Sequence, residues 1–281
     1  MRLSNMVSEI SPPIDPKIRQ QAEFFQREGY VVAPGLFSPP EVEEIRAIFA
    51  RVHDDGVPGF YDRVKPSDGV ANPDDPLFQY PRVMQPHRFN ARVRDFTLHP
   101  PVIERLRAFF GEEPAAAQSM FYFKPPGARG QALHQDQFYL LVEPGTCIAA
   151  WTAIDDCDAG NGGMMIVPKS NDSPVVCPEV ADSRVSYTTQ LVPVPKGLKA
   201  QLVPMKAGDT LFFNGSIIHG SGPNRSKTRF RRAFISHYVA ATTKKMSPFY
   251  MPLVTTAGAE FQTAVQTGGG PCGEGWKGSQ H

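Results

Sequence analysis

With 281 residues, 41% of them hydrophobic and 20% charged, the chain has the composition of an ordinary globular protein and the length to bury one large core. The 29 Lys and Arg against 28 Asp and Glu leave a net charge of +1, which removes the electrostatic footprint of a nucleic-acid binder or a membrane-surface protein. The longest apolar run, Cys147 to Ile154, is too short to cross a bilayer, and Met1 to Lys17 holds no apolar stretch of a secretory leader.

In chain order, Asp15-Pro16 opens an amphipathic helix through Ile18, Ala22, Phe24 and Phe25 that Gly29 ends. Tyr30 to Pro34 reads as a short strand. Ser38 and Glu41 then form a capping-box pattern for a second helix, with Val42, Ile45, Ile48, Phe49 and Val52 as its apolar stripe. Asp54 to Asp75, rich in Gly, Pro and Asp, is expected to be a long functional loop. A third helix is predicted over Pro101 to Phe110.

Near Ala115 the period becomes strand-like. Predicted strands are Gln118–Lys124, Ala132–Phe138, Thr146–Ile154, Met164–Val167, Lys199–Val203, Thr210–Phe213 and Arg229–Val239. Turn chemistry separates them, and Asn161-Gly162 reads as a hairpin signal. The expectation is one domain, mainly β with packed helices: a helical lead-in over about 15–112, a barrel or jelly-roll core over about 115–240, and an irregular segment 241–281. The four cysteines, Cys147, Cys157, Cys177 and Cys272, form no CxxC pair and read as reduced thiols of a cytoplasmic protein.

His134-Gln135-Asp136 and the distant His219 carry the chemistry. In a strand, residues i and i+2 share a face, so His134 and Asp136 are expected to project together. Two imidazoles and one carboxylate on one side of a metal form the facial triad of non-haem Fe(II) oxygenases. Past His219, the alternation of Arg229-Phe230-Arg231-Arg232-Ala233-Phe234-Ile235 puts Arg229 and Arg231 on one face with Ala233 and Ile235. An arginine facing a barrel interior needs a partner, and the far end of a dicarboxylate co-substrate fits that need. The Asp155-Asp156-Cys157-Asp158 cluster reads as a polar turn rather than a calcium loop, and no phosphate-binding or serine-hydrolase motif is present.

The strings Gln118 to Pro125, His134-Gln135-Asp136, Trp151-Thr152-Ala153, Asn161-Gly162-Gly163, Val167-Pro168-Lys169-Ser170 and His219 to Asn224, after the lead-in Phe25 to Phe37, resemble the phytanoyl-CoA dioxygenase (PhyH) family over roughly residues 18 to 240. The resemblance implies a cupin-like double-stranded β-helix that uses Fe(II), 2-oxoglutarate and O2 to hydroxylate a small molecule, with release of succinate and CO2. It also implies that His134, Asp136 and His219 hold iron and that Arg231 binds the distal carboxylate of 2-oxoglutarate. Ser221, Trp151 and Met120 match further co-substrate positions. The family's arginine stands slightly nearer to the distal histidine, which keeps Arg229 as an alternative anchor. Halogenating relatives replace the carboxylate with a small residue, so Asp136 argues against halogenation and leaves hydroxylation, desaturation or another oxidative outcome.

Two rival readings share these ligands: a non-catalytic cupin-like binding protein, and a zinc-dependent hydrolase or lyase. Substrate identity is left to the Asp54–Asp75 loop, Tyr61, Phe138, Tyr139 and the C-terminal segment. The absence of a CoA phosphate motif favours a small metabolite.

Overall fold

The computed structural model describes residues 15–61, 74–268 and 270–273. Most of the Asp54–Asp75 loop lies outside the described residues. Helix α1 (Pro16–Glu28) starts where the Asp15 carboxylate accepts the Lys17 N–H, and it stops at Gly29, whose φ is 82°. A Cβ at Gly29 would lie 2.3 Å from Asn171 Oδ1, so both backbone and space demand glycine. Helix α2 (Pro39–Asp55) is held by Glu41, which accepts from both the Ser38 N–H and its hydroxyl at 2.8 and 2.7 Å. Two short helices, α3 (Pro76–Gln79) and α4 (Ala91–Thr97), have no counterpart in the predicted elements. Each is too short to show a helical period, although Asp75 and Asn90 cap them through their side chains. Helix α5 (Pro100–Phe110) matches its predicted range to one residue.

The strands in the first half are β1 (Tyr30–Ala33), β2 (Val83–Met84), β3 (Pro114–Tyr122), β4 (Gln131–His134), β5 (Ile148–Ala153), β6 (Met164–Ile166), β7 (Glu179–Val180) and β8 (Gln190–Leu191). They continue with β9 (Gln201–Val203), β10 (Thr210–Asn214), β11 (His219–Ser221), β12 (Ala233–Ala240), β13 (Lys245–Met246), β14 (Leu253–Thr255), β15 (Glu260–Phe261) and β16 (Ala264–Val265). The larger sheet runs β1-β10-β5-β12-β3-β14-β15, with β2 also on β3; the smaller runs β4-β11-β6-β9. Their pairings are antiparallel.

Alternation along the large sheet explains its place in the middle. Ala149, Trp151, Ala153, Leu211, Phe213, Ala233 and Ile235 pack against Met164, Ile166 and Val203 of the small sheet. Ile148, Ala150, Phe212, Phe234 and Phe121 turn the other way, onto the apolar faces of α1, α2, α4 and α5. The result is the double-stranded β-helix, with helices covering one outer face. The active space lies between the sheets.

Several expectations change. The predicted strand Ala132–Phe138 ends at His134, and Asp136 starts α6 (Gln137–Leu140), accepting from the N–H groups of Tyr139 and Leu140. The helical turn buries both Phe138 and Leu140. The strand predicted from Arg229 begins only at Ala233. Before it, the Asn224 amide donates to the Arg229 carbonyl, and Asp155 accepts the Arg232 N–H, so side chains replace ladder bonds. Asn161-Gly162 is not a hairpin turn, because β5 and β6 belong to different sheets; the Asn161 amide bonds to Asp156 and Phe230 carbonyls at the crossing. Asp155, Asp156 and Asp158 do form a polar turn, each paired with a basic side chain.

Cys177 and Cys272 are joined in a disulfide, against the expectation of four reduced thiols, while Cys147 and Cys157 are free and buried. Their separation of 95 residues left no spacing signal, and the argument for a reducing compartment loses half its cysteines. The stretch expected to be irregular after residue 240 instead adds β14 and β15 to the large sheet. Among the described residues, no helix is long and apolar enough to cross a membrane.

The helix layer depends on Phe49, fully buried in α2 and stacked on Phe121 of β3 with ring centroids 3.9 Å apart. Phe49→Ala should lower the unfolding free energy by about 3–5 kcal/mol, read by urea denaturation with unchanged m.

Candidate metal centre and co-substrate pocket

Two strands and a turn bring three ligand atoms together. His134 is the last residue of β4 and His219 the first of β11, and the two are paired in antiparallel register. Asp136 reaches the same point from the α6 turn, not from a strand face. Its Oδ1 lies 3.5 Å from His134 Nε2 and 3.6 Å from His219 Nε2. All three residues are buried, and their ligand atoms fall within 4.8 Å of one another.

Supporting bonds orient each ligand. His134 Nδ1 sits 2.9 Å from the Ala132 carbonyl and His219 Nδ1 sits 3.1 Å from the Ile217 carbonyl. A backbone carbonyl can only accept, so each Nδ1 carries the proton and each Nε2 lone pair is presented inward. Gln135, fully buried, donates to the Ser216 carbonyl at 2.7 Å and accepts the Val176 N–H, which locks the turn between the first two ligands. Burial pushes the His219 imidazolium pKa down to about 3, so this ring is neutral near pH 7. Burial opposes ionisation of Asp136, but the imidazoles around it, His237 with its Nε2 2.9 Å from Oδ2 among them, outweigh it and hold its carboxyl well below the usual range.

His237 of β12 is a residue that sequence reasoning missed. Its Nε2 lies 2.9 Å from Asp136 Oδ2, the oxygen facing away from His134 and His219. With Oδ2 engaged, Asp136 presents one oxygen to the centre. The only hint in the sequence was that His237 shares the inward alternation of Ala233 and Ile235 on a strand otherwise apolar at those positions.

The predicted co-substrate residues converge on the same cleft, of about 370 Å³, which is lined by Met120, Trp151, Ser221, Arg231 and the three ligands among others. Arg231 is 4% exposed. It donates from Nε to the Gly162 carbonyl at 3.2 Å, reaches Ser221 Oγ at 3.4 Å, and lies over the Trp151 ring at 5.1 Å. Among the described residues no carboxylate pairs with it. Arg229 is elsewhere: its half-exposed side chain forms a two-pronged ion pair with Asp158 at 2.8 and 2.9 Å. The shared-face expectation for Arg229 and Arg231 therefore fails, because the segment is not a strand there. Of the residues assigned to substrate, Tyr139 faces His134 edge-on with ring centroids 6.3 Å apart, whereas Phe138 is core and buried Tyr61 packs with the helix layer. The cleft also draws in Tyr122 and Gln131, which the sequence did not single out; Gln131 Nε2 lies 3.1 Å from His134 Nε2.

The donor set fits a divalent first-row metal: neutral imidazole nitrogens and one carboxylate oxygen, grouped on one side of an open cleft. Beyond it lies a buried guanidinium suited to an anion. A jelly roll with this pairing of centre and cation is the architecture of iron- and 2-oxoglutarate-dependent oxygenases acting on small molecules, and the chain is one of them. More narrowly, it matches the phytanoyl-CoA dioxygenase (PhyH) family model over residues 25–233 and belongs to that family.

Peroxisomal phytanoyl-CoA dioxygenase of Rattus norvegicus is 26% identical over 242 residues, spanning 81% of this chain and 70% of the relative. The Mus musculus protein of that name is 28% identical, spanning 78% and 67%. Among solved structures, the fold resembles the epimerase SnoN in complex with Fe3+, α-ketoglutarate and nogalamycin RO (TM-score 0.65, 22% identity, 82% of this chain and 86% of that one). It also resembles EctD from S. alaskensis with 2-oxoglutarate and 5-hydroxyectoine (TM-score 0.60, 17% identity, 86% and 80%). Family membership decides against the non-catalytic and zinc-hydrolase readings that the ligands alone left open.

If His237 holds Asp136 in place, His237→Phe should weaken Fe(II) binding about 10- to 100-fold without unfolding the chain. Anaerobic Fe(II) titration alongside thermal melting measures both.

Proposed function

We propose that the chain is one catalytic domain that hydroxylates a small metabolite, with His134, Asp136 and His219 as the iron ligands and Arg231 as the anchor of 2-oxoglutarate. The observation that carries this reading is the buried Arg231, without a carboxylate partner among the described residues, at one end of a cleft whose other end is the His–Asp–His cluster. Bound iron would supply oxygen activation and oxidation of a substrate C–H bond, with 2-oxoglutarate consumed to succinate and CO2.

The protein's own residues do the rest. The backbone carbonyls of Ala132 and Ile217 keep the imidazoles in the ligating tautomer. Asp136 supplies a negative charge that partly balances the metal. Arg231 offers a planar fork to the distal carboxylate, which Lys in its place could not reproduce. Trp151 covers one face of that fork, the Ser221 hydroxyl stands beside it, and Met120 forms an apolar wall. Together they place the keto-acid end towards the ligands and leave the remaining cleft for substrate. Retention of Asp136 supports hydroxylation over halogenation, since the carboxylate occupies the position a halide would need.

Arg231→Leu should weaken 2-oxoglutarate binding by about tenfold to a hundredfold, the loss of a charge-assisted contact. Arg229→Leu should leave it within about twofold, because Arg229 is spent on Asp158 at the surface. Titrating 2-oxoglutarate into anaerobic, iron-loaded variants reads both; the reverse pattern would move the anchor to Arg229. Separately, Asp136→Ala should abolish succinate release across a panel of candidate substrates, and wild-type turnover with confirmed iron occupancy would remove Asp136 from the centre.

A further inference from the structure

Lys124 is a second buried cation beside the cleft, where it shares a neighbouring pocket with Arg231. It is 4% exposed, although lysine is among the residues least often buried without a partner. Its φ of 38° is left-handed, a conformation that non-glycine residues adopt only where surroundings impose it. The surroundings are clear: its carbonyl accepts the Arg231 N–H at 3.1 Å and the Asn224 amide at 3.2 Å. That turn sends the side chain inward past Gly162, where a Cβ would come within 2.9 Å of Lys124 Cε. At its end, Nζ donates to Ser221 Oγ at 2.8 Å. No carboxylate pairs with Lys124 among the described residues.

Ser221 Oγ receives more than this one donor. Arg231 Nη2 and the Gln131 N–H both approach it at 3.4 Å. A hydroxyl has two lone pairs and one proton, and an ammonium and a guanidinium can only donate. With its oxygen facing these donors, the Ser221 proton is left to point away from them, into the cleft that Ser221 and Arg231 both line.

We infer that Lys124 is a positioning residue for 2-oxoglutarate, turning the Ser221 hydroxyl into an obligatory donor to the distal carboxylate and setting a second positive charge behind it. The inference rests on the proposed anchor role of Arg231. Burial, and then the adjacent Arg231, hold the Lys124 pKa well below the usual lysine range, and an anion beside Arg231 would draw it back towards the charged form.

The test uses the full chain, iron-loaded under anaerobic conditions and titrated with 2-oxoglutarate. Lys124→Met keeps the length of the stem and removes the charge; Lys124→Gln retains a donor and serves if the first variant does not fold. Lys124→Met should weaken 2-oxoglutarate about tenfold with Fe(II) affinity unchanged. In a Ser221→Ala background, the same substitution should cost less than about threefold, because its effect passes through the hydroxyl. Three outcomes overturn the inference: 2-oxoglutarate affinity within twofold of wild type, equal losses of iron and 2-oxoglutarate binding, or full additivity with Ser221→Ala. Arg231→Leu separates the two levels. Weak binding there beside normal binding in Lys124→Met removes the role of Lys124 alone, whereas normal binding in both removes the anion site itself.

Discussion

A single buried negative charge organises this molecule. Asp136 is 1% exposed, and an isolated carboxylate in such a place would protonate rather than stay ionised. It stays ionised within a shell of three histidines from three strands: His134 from β4, His219 from β11, and His237 from β12, whose Nε2 stands 2.9 Å from Oδ2. Two of these strands belong to the small sheet and one to the large. The charge can be accommodated only when the sheets face each other in correct register, so the fold and the centre require each other.

The opposite end of the cleft carries the opposite charge. Arg231 and Lys124 are both buried, and both reach the hydroxyl of Ser221. A cleft with the His–Asp–His cluster at one end and Arg231 at the other, with Lys124 behind Ser221, favours a co-substrate that chelates with its head and is anionic at its tail. Hydrogen bonds to backbone carbonyls and the ring of Trp151 fix these groups before any ligand arrives, which reduces the ordering cost of binding. The charged residues just outside the cleft have a different task. Arg229 pairs with Asp158 and Arg232 with Asp155, and these pairs fasten the crossing from which Arg231 projects.

Local chemistry made much of the fold readable. The Ser38–Glu41 capping box, the stripe from Val42 to Val52 and the Gly29 stop each act within one helical turn, so they are visible in consecutive residues. Short helices such as α4 were not visible, because one apolar turn cannot display a period. Strand ends were misjudged wherever a side chain took over the work of a ladder bond, as Asn224 and Asp155 do before Ala233. The Cys177–Cys272 pair could not be read at all, since contact across 95 residues depends on the path of the chain between them.

The sequence by itself carried the residues of the candidate centre: His134, Asp136 and His219 in order, and an arginine after the distal histidine. Residue type and order are enough for this, because ligand chemistry belongs to the side chain. Only the tertiary structure decided which arginine is buried, that Asp136 comes from a helical turn, that His237 braces it, and that Lys124 stands behind Ser221. Those are matters of burial and approach between segments far apart in the chain. Charge inside a protein is tolerated only where partners meet it, and which partners meet is settled when the two sheets close.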